Sequence, residues 1–142
     1  MFLLDTNVVS ELRKIRRGRA DVRVAAWQRD VAMSECFISA ITVMELEIGV
    51  LRLMRRDGAQ AVILRDWLDT VVYRQFADRN LPVDLDVARR CAALQEARTL
   101  PERDAFIAAT ALVHGLTVVS RNFADFAGTG VALLNPWDDP AA

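Results

Sequence analysis

An α/β fold with a parallel sheet is predicted by three observations. Short apolar runs at 1–5, 36–39, 116–120 and 131–134 read as buried strands. Longer stretches with helical spacing separate them, as crossover helices covering both faces of a parallel sheet require. The chain, 142 residues long, suits one domain, enough to bury roughly 68–70% of its unfolded surface without staples.

Met1-Phe2-Leu3-Leu4 is the first strand, closed by Asp5, and helices follow over about 6–13 and 20–31. Cys36-Phe37-Ile38-Ser39 is the second strand. It leads into a helix at 42–55, where Leu46, Val50, Leu53 and Met54 make one apolar face. Gly49, four residues after Glu45, predicts close approach of a neighbour on that face. Glu47 points to the opposite side and is expected to be solvated. A second long helix covers about 58–77, and a short strand sits near Leu81-Pro82-Val83. Helices at 86–98 and 102–114 come next. Pro101 suits the first position of the latter, Gly115 its left-handed cap, and Ala108, Ala109 and Ala111 keep it thin. Strand 116–120, a helical turn at 123–127 and strand 131–134 complete the pattern, with 138–142 a frayed tail. No repeat or low-complexity segment divides the chain, so 1–142 reads as a single domain.

Charge and composition narrow the chemistry. A formal net charge of −1 gives no general affinity for nucleic acid, so any RNA contact must come from a local basic patch. Cys36 and Cys91 lie in apolar surroundings and read as buried thiols. Asp5 breaks any signal peptide, and no apolar run nears the ~18 residues that span a membrane. A cytoplasmic protein with no membrane contact is expected. His114 is the single histidine and Lys14 the single lysine among 18 cations. Two-histidine ribonuclease chemistry within one chain and a phosphate-binding P-loop are thereby excluded, and zinc-protease spacing is absent. His114, ending a helix, reads as a partner of the helix dipole.

Asp5, Glu45 and Asp104 are the candidate site. Each ends a strand or opens a helix, and ligands of parallel sheets bind at the carboxyl ends of strands, where helices begin. Each also has a plainer explanation. Asp5 suits a helix cap, Thr42-x-x-Glu45 fits a capping box, and Asp104 suits the first turn of a helix. Three acids sharing such positions point to one shared purpose, a divalent cation that relieves their repulsion. Oxygen-only ligands favour Mg²⁺ or Mn²⁺. Such a site supports metal-assisted phosphodiester hydrolysis, with Asp5 and Asp104 holding the ion and Glu45 holding or deprotonating the attacking water.

Four segments carry a family resemblance. Leu-Leu-Asp-Thr-Asn-Val-Val-Ser-Glu (3–11), Ser-Ala-Ile-Thr-Val-Met-Glu-Leu-Glu-Ile-Gly-Val (39–50), DAFIAATALVHGLTVVSRNFADF (104–126) and Leu-Asn-Pro-Trp (134–137) resemble the PIN domain, and more narrowly the VapC toxins of its FitB-like branch. The resemblance spans residues 1–137. It implies a three-layer α/β/α sandwich, endoribonuclease activity dependent on Mg²⁺ or Mn²⁺, and inhibition by a VapB-type antitoxin. It further implies a homodimer, with operator DNA reached only through the antitoxin. Asp5, Glu45 and Asp104 fall on the family's acidic metal-binding and catalytic set. Its fourth position, often Asp and commonly also Asn, falls at Asn122, a candidate fourth metal ligand whose neutral amide implies a weaker second metal site. Asp125 offers compensation or is a plain short-helix residue. Thr6 and Asn7 also match, Thr6 as support for the ligands.

Arg13, Lys14, Arg16, Arg17 and Arg19 are a candidate phosphate clamp or a solvated loop. Arg52, Arg55 and Arg56 read as an exposed helix end. The apolar helices of 42–77 offer a dimer surface or an antitoxin groove, and Trp27 and Trp67 read as core. A haloacid-dehalogenase-like phosphatase or a receiver domain also places Asp after the first strand. Both need a late lysine, and the phosphatase an acid where Asn7 stands. The remaining alternative is a catalytically weak PIN-like module that binds RNA or an antitoxin–DNA complex without cutting, supported by Asn122.

Overall fold

The structure, a computed structural model, is described for residues 1–138. The predicted frayed tail thus falls, apart from Asp138, outside the described residues. Five parallel strands, β1 (Phe2–Leu4), β2 (Cys36–Ser39), β3 (Asn80–Leu81), β4 (Thr117–Val119) and β5 (Leu133–Leu134), lie in the order β3-β2-β1-β4-β5. The chain steps outward from β1 to β3, then returns across the sheet to add β4 and β5 on the other side. The order therefore reverses between β1 and β4, and that switch point is where a parallel sheet opens a crevice.

Eight α-helices connect the strands: α1 (Thr6–Leu12), α2 (Val22–Asp30), α3 (Ala40–Arg56), α4 (Gly58–Trp67), α5 (Tyr73–Gln75), α6 (Leu85–Ala97), α7 (Glu102–His114) and α8 (Phe123–Phe126). Strand alternation sorts them into layers, because successive side chains point to opposite faces. Leu4, Ile38 and Val119 face one way, into a core with Val8, Val24, Leu46, Val50 and Leu68. Leu3 and Val118 face the other, against Ile107, Ala108, Ala111 and Phe126. A third cluster, Val87, Cys91, Leu100, Ala105 and Ala109, joins α6 to α7. The predicted α/β/α sandwich is the observed one. The alanines of α7 are fully buried, and Gly115 caps that helix at φ +66°.

Several local expectations are corrected. α3 begins at Ala40 because Ser39 Oγ accepts the Thr42 N–H at 3.2 Å, so Ser39 is the cap and no Thr42–Glu45 capping box forms. Gly49 is exposed, and a Cβ there would meet nothing within 4 Å, so it serves no close helix approach. The predicted helix at 58–77 is α-helical only to Trp67, with a π-helical turn at Leu68–Val72 before α5. Thr70 Oγ donates to the Asp66 carbonyl at 2.7 Å, a side-chain bond to the preceding turn that competes with the backbone ladder. Glu47 is not a free solvated side chain. Arg65 returns from α4 to grip both its oxygens at 2.7 and 2.9 Å, and Tyr73 donates its hydroxyl to the same carboxylate. The last strand is shortened to Leu133–Leu134, since Gly128 and Gly130 at φ +82° and +85° hold the preceding segment as a turn. Among the described residues no helix is long and apolar enough to cross a membrane.

Candidate active site at the carboxyl edge of the sheet

Asp5 leaves β1 where the sheet order reverses, its backbone N–H still donating to Val119 O on β4 at 2.9 Å. It then caps α1, Oδ1 accepting the Thr6 N–H at 2.8 Å. The plain capping role is therefore real, but it occupies one oxygen. Oδ2 accepts from Ser120 Oγ at 2.7 Å, at the end of β4, and from Asn7 Nδ2 at 3.3 Å. The side chain is 3% exposed. Burial pushes the Asp5 carboxyl above the usual range; bonds from Ser120 and Thr6 oppose this, and the charges of Glu45 and Asp125 add to it.

Glu45 comes from the second turn of α3. Its Oε1 accepts from Thr6 Oγ1 at 2.8 Å, and its Oε2 stands 3.6 Å from Arg103 on α7. Thr6 thus lies where a supporting residue was expected, tying the start of α1 to α3. Asp104, in the first turn of α7, is half-buried. Burial raises its carboxyl to about 6, with the charges of Asp5, Asp125 and Glu45 and a side-chain hydrogen bond with Asp125 acting in the same direction. The three predicted acids feel one another from three different elements. Asp125, from α8, belongs to the same cluster, which its place after Asn122 left undecided in the sequence.

Asn122 contributes differently. Its side chain is exposed at the start of α8 with no cap to that helix, and its backbone N–H donates to Ser120 Oγ at 2.9 Å. Ser120 therefore donates to Asp5 while accepting from Asn122 and, at 3.4 Å, from Asn7. Asn7 Oδ1 in turn accepts the Arg121 N–H at 3.2 Å. Ser120 and Arg103 are the residues that sequence reasoning passed over. Their signal was adjacency, Ser120 to Asn122 at a strand end and Arg103 to Asp104.

Other candidates fall away from the acids. His114 is exposed ten residues along α7 from Asp104, roughly 15 Å by helix rise. Both cysteines are free and buried, and burial pushes Cys36 to about 11, so neither is a nucleophile. Trp27 is half-buried edge-on to Phe2, and Trp67 packs on the core with the Arg13 guanidinium over its ring at 5.7 Å. Lys14 is paired with Glu11, while Arg16, Arg17 and Arg19 are exposed. A cleft of about 220 Å³ links the two regions, bordered by Thr6 and Glu45 at one end and by Arg13, Lys14 and Trp67 at the other. A second cleft of about 210 Å³ lies beyond Arg13, lined by Leu12, Trp67, Val72 and Phe76, and borders none of the acids.

Whether this set suits a divalent cation turns on its donors. The acids offer oxygens alone, which fits a hard ion, and burial with mutual repulsion raises two of them, which a cation would relieve. As placed, no three His, Cys, Asp or Glu side chains among the described residues converge closely enough to hold a metal. Glu45 is turned to Thr6 and Arg103, and Asp104 to Asp125. The donor chemistry fits a hard ion, although as placed the set is not closed.

The PIN domain family profile matches residues 2–130. Toxin FitB of Neisseria gonorrhoeae is 38% identical over 144 residues, covering 98% of this chain and 100% of the relative. VapC ribonuclease Y4jK of Sinorhizobium fredii is 38% identical over 143 residues, covering 97% and 99%. Among solved structures, FitAcB from Neisseria gonorrhoeae superposes with a TM-score of 0.86 at 37% identity, covering 96% of this chain and 99% of that one. FitAB bound to an IR36 DNA fragment gives 0.85 at 35% identity, covering 97% and 96%.

Proposed function

The chain belongs to the PIN-domain family, and on that premise we propose that it is the toxin of a toxin–antitoxin pair, an endoribonuclease that hydrolyses RNA phosphodiesters with Mg²⁺ or Mn²⁺. The observation that supports the reading is electrostatic: Asp5 and Asp104 are both raised, first by burial and then by the charges of neighbouring acids, Glu45 and Asp125 among them. Neutralising that repulsion is what a cation would supply, along with a bound water acidic enough to attack phosphorus.

Asp5 and Asp104 are the proposed ligands, with Asp125 as the fourth acid in place of the exposed Asn122. Ser120 and the Thr6 N–H hold the Asp5 carboxylate in one orientation and favour its charged form. Glu45, less buried, is bound through Oε1 to Thr6 and only loosely paired through Oε2 to Arg103, so Oε2 would take a proton from water once that pair opens. The cleft running from Thr6 and Glu45 toward Arg13 and Lys14 supplies a path for the strand, with cations placed to meet its phosphates.

The named relatives support the partner reading, since the FitAB structure is of a complex bound to an IR36 DNA fragment. The proposed partners are a VapB-type antitoxin, operator DNA through it, and a second copy of this chain. Leu51, Met54, Val62 and Ile63 leave exposed apolar surface on α3 and α4 for one of these contacts.

The test is cleavage of total RNA by the purified chain with Mn²⁺ or with EDTA, beside Asp5→Ala and Asp104→Ala. Discrete fragments that need Mn²⁺ and vanish in both variants are expected. Equal cutting by all three would sink the assignment. A folded wild type that binds Mn²⁺ and RNA but never cuts would favour the non-cutting module instead.

A further inference from the structure

Arg103 is the one cation within ion-pair distance of Asp5, Glu45, Asp104 or Asp125 among the described residues, and its placement is unusual for an arginine. It stands in the first turn of α7, beside Glu102 and Asp104, at the positive end of the helix dipole where a cation is disfavoured. Helix stability therefore does not explain it. Its contact with Glu45 is loose. The Nη1–Oε2 distance of 3.6 Å exceeds that of a direct charge-assisted hydrogen bond, and the arginine side chain is 47% exposed. The partner carboxylate is held from its other oxygen by Thr6, so Glu45 stays in place if Arg103 leaves.

Resting on the proposed metal-dependent cleavage, we propose that Arg103 is a mobile counter-ion of the acid cluster, exchanged for the divalent cation and then free to bind a phosphate of the RNA strand. Without metal its guanidinium offsets part of the charge of Glu45, standing in for the cation. Once that charge is met by the ion, the loose pair loses its reason to persist. The freed guanidinium then lies at the mouth of the site, with five N–H donors in a fork that matches a phosphate. One side chain thus couples metal loading to substrate capture.

The test titrates Mn²⁺ alone into the full chain by calorimetry, for wild type, Arg103→Ala and Arg103→Lys, with folding checked by circular dichroism. Removing a competing exposed ion pair should tighten Mn²⁺ binding about twofold to fivefold in Arg103→Ala, while Arg103→Lys stays near wild type. In steady-state cleavage of an RNA oligonucleotide, Arg103→Ala should raise KM more than it lowers kcat, and its salt dependence should fall by about one phosphate contact. Unchanged or weaker Mn²⁺ binding in Arg103→Ala would overturn the exchange while leaving metal-dependent cleavage intact. An unchanged KM would overturn the phosphate role. A wild type that binds no Mn²⁺ would instead remove the reading on which the exchange rests.

Discussion

Asp104→Asn should make the metal-free protein more stable at neutral pH, although it removes a proposed ligand. Asp104 is raised from 3.8 to about 6, first by burial and then by the charges of Asp5, Asp125 and Glu45. The sign follows from proton counting. An acid whose folded pKa is raised binds more protons folded than unfolded between those two values, so stability falls as pH climbs through that window. The shift, about 2 units at 1.36 kcal/mol each, gives an upper bound of about 3 kcal/mol of lost stability above pH 6. Partial exposure screens this, and losing a carboxylate from the first turn of α7 forfeits about 0.3–1 kcal/mol of dipole interaction. A net gain of about 1–2 kcal/mol remains, or about 3–7 °C in Tm at this chain length. Urea unfolding in EDTA, with wild type and variant compared at pH 7.5 and pH 4, measures it. The gain should be full at pH 7.5 and small at pH 4. An equal gain at both values, or a loss at pH 7.5, would refute the claim that repulsion and burial strain this carboxylate.

Ser120→Ala removes the donor that favours the charged Asp5, so the proton is held more tightly. The acid limb of the kcat/KM profile in Mn²⁺ should move to higher pH, because a hydrogen bond that favours the charged carboxylate is lost; a profile that does not move would leave Ser120 with a packing role only. Glu47→Gln tests the link between α3 and α4. The hydrogen bonds of Arg65 and then Tyr73 hold Glu47 down to about 2, so its contribution is complete above the unfolded value of 4.5 and is lost as pH falls toward 2. With the side chain 35% exposed, screening leaves about 1 kcal/mol. The Tm difference between wild type and Glu47→Gln should be present at pH 7 and closed near pH 2, as followed by thermal melts across that range.

What the sequence disclosed follows from periodicity. β2 at Cys36–Ser39 and α7 at Glu102–His114 stand at the predicted residues, because an apolar run of four and an alanine-rich stretch between Pro101 and Gly115 leave little freedom. The π-helical turn after Trp67, where the Thr70 hydroxyl takes the Asp66 carbonyl, was hidden because hydrophobic spacing does not register such a change of backbone ladder. Glu47 was misjudged for a related reason. Its helix face alone predicts solvent, but α4 folds back and delivers Arg65 from eighteen positions away. Asp5, Glu45 and Asp104 stood out as candidates because acids at strand ends and helix starts are conspicuous, and the charges of Asp5 and Glu45 both bear on Asp104. Asp125 and Ser120 matter through α8 and β4, which no local pattern ties to residue 5.

The placement of Ser120 explains how a strained cluster can be rigid at one end and adjustable at the other. Asp5 sits between β1 and β4, where backbone pairing with Val119 and bonds from Thr6, Asn7 and Ser120 leave its carboxylate one orientation. The fixed acid is thus built on the two central strands, the part of the sheet covered on both faces. Glu45 and Asp104 are carried by helices, retain partial exposure, and are turned toward partners that can be released, Arg103 and Asp125. On the proposed cation reading, Asp104 would turn from Asp125 toward the anchored Asp5 while Glu45 keeps its bond to Thr6 and releases Arg103. The same asymmetry predicts unequal damage. Asp5→Ala strands the buried hydroxyl donor of Ser120 and should destabilise the fold as well as the chemistry, whereas Asp104→Asn separates the two by losing activity while gaining stability.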